Sequence, residues 1–114
     1  MTDPCYRVIS ALEDHNLRTN KEQIIEAQAK AGNDEFFQGC RLALDPMITF
    51  GLKQIPEKID EDGPGLPWDD FVSDISGFRN RTVTGHAARD LVLQMMESAT
   101  KAEWNGWYRR ILIK

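Results

Sequence analysis

The residue types best suited to hold an anion gather in one stretch, Arg79-Asn-Arg-Thr-Val-Thr-Gly-His-Ala-Ala-Arg-Asp90. Arg79 and Arg81 stand just before Thr84-Gly85-His86, a sequence with the form of a helix start. Threonine is a good N-cap, and a glycine beside it lets a ligand approach the first free backbone N–H groups closely. Those groups and the positive end of the helix dipole make a natural anion site. Two arginines upstream add fork-shaped, charge-assisted bonds to phosphate oxygens. The stretch therefore reads as a phosphate-backbone clamp made of Arg79, Arg81, Thr82, Thr84, Gly85 and His86. A second helix start, Arg18-Thr19-Asn20-Lys21, offers the same combination of cap, free N–H groups and two cations. Lys53 is a weaker candidate. Each feature also has a purely structural reading: threonine and glycine begin many helices, and Thr19 with Glu22 makes a capping box that needs no ligand.

The elements that must position these residues are helical almost throughout. Asp3-Pro4 suits an N-cap followed by proline at the first helical position, and Cys5, Val8, Ile9 and Leu12 then form an apolar face ending near His15-Asn16. A second helix opens at the Thr19–Glu22 box, carries Ile24, Ile25, Ala27, Gln28 and Ala31, and stops at Gly32. Asn33 or Asp34 caps a third, with Phe36, Phe37, Cys40 and Leu44 on its face and a break at Asp45-Pro46. From Pro46 to Pro67 the signal weakens: residues 47–50 fit a short helical turn or an extended segment equally, and residues 56–65 form an acidic, breaker-rich loop. Trp68, Phe71, Val72, Ile75 and Phe78 then follow the spacing of a buried helix face. A fifth helix starts at Thr84 and buries Ala88, Leu91, Val92 and Met95. A Thr100–Glu103 capping box opens the last, which shows Trp104, Trp107, Tyr108, Ile111 and Leu112 on one side. The expected fold is all-α, a compact bundle of about six helices with one long acidic loop between the third and fourth. The final helical pattern runs into Lys114 without a cap, as expected of a single domain (1–114) cut from a longer protein.

Composition narrows the function classes. At 114 residues and 41% hydrophobic, the chain can bury one core without staples. Cys5 and Cys40 lie far apart on apolar stripes, which suits reduced, buried thiols and a cytoplasmic location. There is no signal peptide, lipidation motif or membrane-spanning run, so no membrane partner is expected. The net charge of −4 argues against a generic nucleic-acid binder, yet its sign is uneven. Glu57, Asp60, Glu61, Asp62, Asp69, Asp70 and Asp74 concentrate acid in the middle, whereas every formal charge from Arg79 to Arg89 is positive. A local basic patch can bind phosphate while total charge sets solubility.

The second half, from Trp68-Asp-Asp-Phe-Val through Arg-Asn-Arg-Thr-Val-Thr-Gly-His-Ala-Ala to Trp-Tyr-Arg-Arg-Ile-Leu-Ile-Lys114, resembles the N-terminal domain of ATP-dependent DNA ligases of the T-even phage type. Those ligases carry a similar Arg-x-Leu-Thr-Gly-Asn-Ala-Ala segment and an Arg-Arg pair before the nucleotidyltransferase domain. The first half agrees more loosely, at Tyr6-Arg-Val-Ile-Ser-Ala-Leu12, Thr19-Asn-Lys-Glu-Gln-Ile-Ile25 and Asp45-Pro-Met-Ile-Thr-Phe-Gly-Leu-Lys-Gln-Ile-Pro56. The resemblance implies a DNA-binding domain that grips double-stranded, nicked DNA through the phosphate backbone and minor groove, in phage DNA replication, repair and recombination. It implies a monomer in the bacterial host cytoplasm, partnered by a nucleotidyltransferase domain that lies elsewhere in the parent chain. ATP and Mg serve that domain, and none is expected here. The adenylation motif Lys-x-Asp-Gly is not found; Lys58-Ile-Asp60-Glu61 has glutamate in the glycine's place. No ligase activity is therefore expected of this chain alone. His86 stands where the family has asparagine; it can still donate a hydrogen bond, and a histidine adds charge in mildly acid solution. Arg109 and Arg110 either pair with acids inside the bundle or face the missing domain.

Three rivals are weaker. A helix-turn-helix regulator needs several base-reading side chains on an exposed helix, and the fifth helix offers only Arg89 and Gln94. A helical protein-interaction module could use Trp104, Trp107 and Tyr108 as anchors, although aromatics at this spacing more often form core. An enzyme is least supported: His15 and His86 lie on different helices without a ligand or nucleophile cluster, and Asp69-Asp70 suit a helix start.

Overall fold

A computed structural model describes residues 3–113. Five helices are α1 (Cys5–Asp14), α2 (Arg18–Ala31), α3 (Asp34–Leu44), α4 (Trp68–Arg79) and α5 (Gly85–Ser98). The sixth, α6, runs without a break through Lys101–Glu103, a π-wound segment Trp104–Tyr108, and Arg109–Ile113. No strand occurs among the described residues, and residues 45–67 carry neither helix nor strand. No described helix is long and apolar enough to cross a membrane.

The central element is α6, which packs against both α1 and α3. Trp104, Phe71, Phe78, Ile75, Met95 and Ile111 are the largest fully enclosed side chains. Trp107 and Tyr108 are also buried, and their rings meet Phe36, Trp68 and Phe71. The aromatic residues of α6 are thus core, and the anchors an interaction module would use are spent inside. Close approach of α3 to α6 depends on Gly39, where a Cβ would lie 2.2 Å from the Trp107 ring.

Several local expectations shift. The α3 face centres on Phe36, Gly39 and Leu42, leaving Phe37 partly exposed and Leu44 79% exposed. A glycine contributes nothing to a hydrophobic pattern, so the centre of this face is invisible to periodicity. On α2 only Gln28 is buried, and Ile25, Ala27 and Ala31 face outward. Gln28 joins a polar cluster: it donates to Asp3 Oδ2 at 3.1 Å and accepts from Asn33 Nδ2 at 2.7 Å. Asn33 in turn caps α3 by accepting from Phe36 N–H at 3.4 Å. Pro4, not Asp3, precedes the first helical residue of α1, and no side chain caps that helix. Cys5 is buried and Cys40 half-buried, both as free thiols. Burial pushes both thiols up, with the Glu35 contact adding to Cys5.

The connection from 45 to 67 has no hydrogen-bonded ladder of its own, so its backbone groups find partners on neighbouring helices. Trp104 Nε1 donates to Pro56 O at 2.9 Å, and Arg109 Nε to Ile55 O at 2.8 Å. Asn105 pairs with both backbone groups of Lys58, at 2.8 and 2.9 Å. Tyr108 donates its hydroxyl to Leu66 O, and Glu103 Oε1 accepts from Leu66 N–H at 2.6 Å. At the other rim, Gly63 and Gly65 N–H groups cap the end of α5 by donating to Ala99 O and Ser98 O at 3.0 and 2.8 Å. Glu103 also completes the capping box with Thr100, as its sequence implies. The segment is a strap tied along α6.

Candidate functional site

The reversal from α4 to α5 builds the site. Arg79 ends α4, Asn80 caps it, and Arg81 turns the chain in the left-handed region at φ 63°. Asn80 Oδ1 holds that turn by accepting from Thr82 N–H at 3.1 Å and from Thr82 Oγ1 at 2.7 Å. Val83 N–H returns to Gly77 O at 3.0 Å, which seats the turn against α4. Thr84 then precedes α5 at the N-cap position, as expected, but its side chain makes no capping bond. The first intrahelical bond is Ala88 N–H to Thr84 O at 3.3 Å. The N–H groups of Gly85, His86 and Ala87 therefore have no hydrogen-bond partner among the described residues. Gly85 adopts φ 59° with open space where a Cβ would sit, so the glycine serves backbone conformation and leaves the helix start uncovered.

Arg79 and Arg81, alike in sequence, are used differently. Arg79 is exposed and makes no ion pair or hydrogen bond through its side chain among the described residues. Arg81 is tied inward: Nη1 donates to Phe78 O at 2.8 Å and Nη2 to Thr49 Oγ1 at 2.9 Å. Its guanidinium also lies where a Cβ on Gly51 would come within 2.5 Å of Nη1. Arg81 thereby fixes residues 49–51 beside the reversal while remaining partly open to solvent.

Residues 51–56 and the first half of α5 enclose a groove of about 740 Å³. Its cationic or titratable lining residues are Lys53, His86 and Arg89, over an apolar floor that includes Ile55 and Val92, and no carboxylate lines it. Arg89, part of the positive run in the sequence but not among the predicted clamp residues, belongs to this groove. The signal was present, since Arg89 follows Gly85 and His86 on the first turns of the same helix.

The second predicted site is arranged differently. Helix α2 begins at Arg18 with Leu17 at the N-cap and no side-chain cap, so the Thr19–Glu22 capping box does not form. Thr19 already lies inside the helix, and Glu22 instead meets Arg18 Nε at 2.8 Å. The two side chains are 92% and 62% exposed, so the pair contributes little. Arg18, Thr19 and Lys21 are exposed and Asn20 is half-buried. No hydrogen bond or ion pair joins residues 18–21 to residues 79–86 among the described residues.

Arg109, Arg110 and Lys58 pair with carboxylates of the fold. Arg109 reaches Glu57 at 3.9 Å besides its bond to Ile55 O, and Arg110 pairs with Glu13 on α1 at 2.7 Å. Lys58 has a side chain only 1% exposed, held by Asp60 at 3.0 Å. The ammonium beside it holds Asp60 below the usual carboxylate range. Asp60, Glu61, Asp62 and Glu97 line a separate hollow, away from the lining of the cationic groove. No cluster of metal-ligating side chains occurs among the described residues.

The chain is thus an all-helical fold with an uncovered helix start flanked by Lys53, His86 and Arg89, which make no ion pair among the described residues. Among solved structures it is similar to two of a protein named Pmar-Lig, designated Pre and PreS3, each at 50% identity and a TM-score of 0.92. Each match covers 96% of this chain and 25% of the Pmar-Lig chain, so the chain spans about a quarter of the protein it resembles. That protein is a ligase by its name, and the likeness extends to sequence as well as fold. No family model matches the chain, and no curated protein does.

Proposed function

We propose that the chain is the substrate-gripping domain of an ATP-dependent DNA ligase, binding double-stranded, nicked DNA without sequence preference. The observation that carries this reading is the helix start at Gly85–Ala87. Three N–H groups without a partner among the described residues open onto a groove lined by Lys53, His86 and Arg89, and Arg79 stands exposed at the start of the same reversal. Phosphate and sugar contacts of that kind position a protein without reading sequence, which suits an enzyme whose nicks occur anywhere. The match to a quarter of a ligase-named protein supports a role as one part of a larger machine. Adenylation and sealing, with their ATP and Mg, would belong to a nucleotidyltransferase domain of the parent chain. Phage DNA replication, repair and recombination, in the host cytoplasm, are the setting the resemblance suggests.

The test is competition of nicked duplexes of unrelated sequence for this chain, followed by fluorescence anisotropy. Equal affinities support the reading. A strong preference for one sequence points to a regulator, and no binding at low salt points to a helical interaction module.

A further inference from the structure

The largest exposed apolar surface near the proposed interface belongs to Met47. Its residue is 88% exposed, and Leu44, at the end of α3, is 79% exposed. Met47 does not dangle. Its N–H donates to Asp45 Oδ1 at 2.9 Å, and the next N–H, of Ile48, donates to Asp45 O at 3.1 Å. Ile48 packs against the core and Phe50 is buried, so the chain is anchored immediately beyond the turn. Thr49 Oγ1 accepts from Arg81, which locks this turn to the α4–α5 reversal. Met47, Ile48 and Thr49 share one hollow with Arg79 and Asn80. A methionine held in water on a hydrogen-bonded turn, sharing a hollow with Arg79, keeps apolar surface hydrated in the free chain that a ligand could cover.

Resting on the DNA-binding reading above, we propose that Met47 is a groove-contacting residue whose thioether lies against the deoxyribose walls of the minor groove while Arg79 holds the adjacent phosphate. The chemistry suits both surfaces. Sugar C–H groups are the apolar part of a duplex, and they line the minor groove, where methionine and leucine commonly serve as wedges. An unbranched, polarisable side chain adapts to a groove of any sequence. Arg79 and Arg81 outnumber the Asp45 carboxylate beside this turn, and that excess of positive charge directs the apolar side chain to a polyanion rather than to another apolar protein surface.

The experiment is a salt series of anisotropy titrations on a nicked duplex with the wild-type chain, Met47→Ala, Met47→Leu and Arg79→Ala. Hydroxyl-radical footprints, which read deoxyribose accessibility, accompany it. Met47→Ala should weaken binding by up to about ten-fold, from loss of one buried apolar side chain, at an unchanged log–log salt slope. It should also lose sugar protection at the nucleotides it covers, and Met47→Leu should restore most of both. Arg79→Ala should instead lower the slope by about one. If Met47→Ala binds and protects like the wild type while Arg79→Ala weakens binding, the groove contact is overturned and the DNA-binding reading stands. If the wild-type chain does not bind the duplex, both fall together.

Discussion

Two arginines separated by one residue divide the labour at the reversal. Arg79 touches nothing that the fold needs, so Arg79→Ala should leave stability within about 0.5 kcal/mol of wild type. Arg81 donates to Phe78 O and Thr49 Oγ1, and its removal loses both charge-assisted bonds and loosens residues 49–51. Urea denaturation should show Arg81→Ala less stable by about 2 kcal/mol, in the range for hydrogen bonds made by a charged donor; equal midpoints for the two variants would contradict this division. Gly85→Ala should cost about 1–2 kcal/mol, because φ 59° is strained for any L side chain even though space is open there. Thermal melts check it, and an unchanged midpoint would mean the left-handed backbone is not required. The turn and helix start within residues 79–86 were legible in the sequence, since threonine and glycine carry their propensities with them. The sequence did not reveal that Arg81 is committed inward, because Thr49 and Gly51 become its neighbours only in the folded chain.

One carboxylate gives a pH-dependent prediction at the same scale. Burial, and then the Asp70 carboxylate, raises Asp74 above the ordinary carboxylate range. The native chain then retains a proton that the unfolded chain has released, so stability falls as pH rises from the unfolded toward the folded value. Above that window the ionised group disfavours folding. Asp74→Asn should therefore raise the melting temperature at pH 7 and give little gain below pH about 3.5. A gain of equal size at both values would assign the effect to packing instead.

At the scale of elements, helices with strong faces were legible and the strap was not. The spacing of Phe71, Ile75 and Phe78, and the Thr100–Glu103 box, state their roles outright. The Thr19–Glu22 box has the same form and is not made, because α2 starts two residues earlier than that box implies and Arg18 takes the glutamate. A short motif names a possible bond but cannot exclude a competing one. The strap has no periodicity: its order comes from single side chains of α6, such as Asn105, which satisfy backbone groups far away in sequence. Asn105→Ala should leave the Lys58 backbone unpaired, destabilise the chain by about 2 kcal/mol, and speed hydrogen exchange at the Lys58 amide. Unchanged exchange there would mean the strap holds itself.

Across the whole molecule, charge is sorted by position despite the net value of −4. Acidic side chains of the strap surround Lys58 and its own hollow, while the cationic groove between residues 51–56 and α5 is free of carboxylates. Total composition could not show this separation, although the run of positive charge from Arg79 to Arg89 hinted at it. The likeness to a quarter of Pmar-Lig gives the sorted surface a setting in which other domains would supply chemistry. A basic face on an acidic body binds a polyanion in one orientation, which is what a positioning domain requires.

The most direct measurement is the salt dependence of binding to a nicked duplex, compared between the wild-type chain and Arg79→Ala, with circular dichroism confirming equal helicity. Binding through phosphates predicts a steep linear fall of log affinity with log salt, and a slope shallower by about one in the variant. Binding that ignores salt, or identical slopes for the two proteins, would contradict the account.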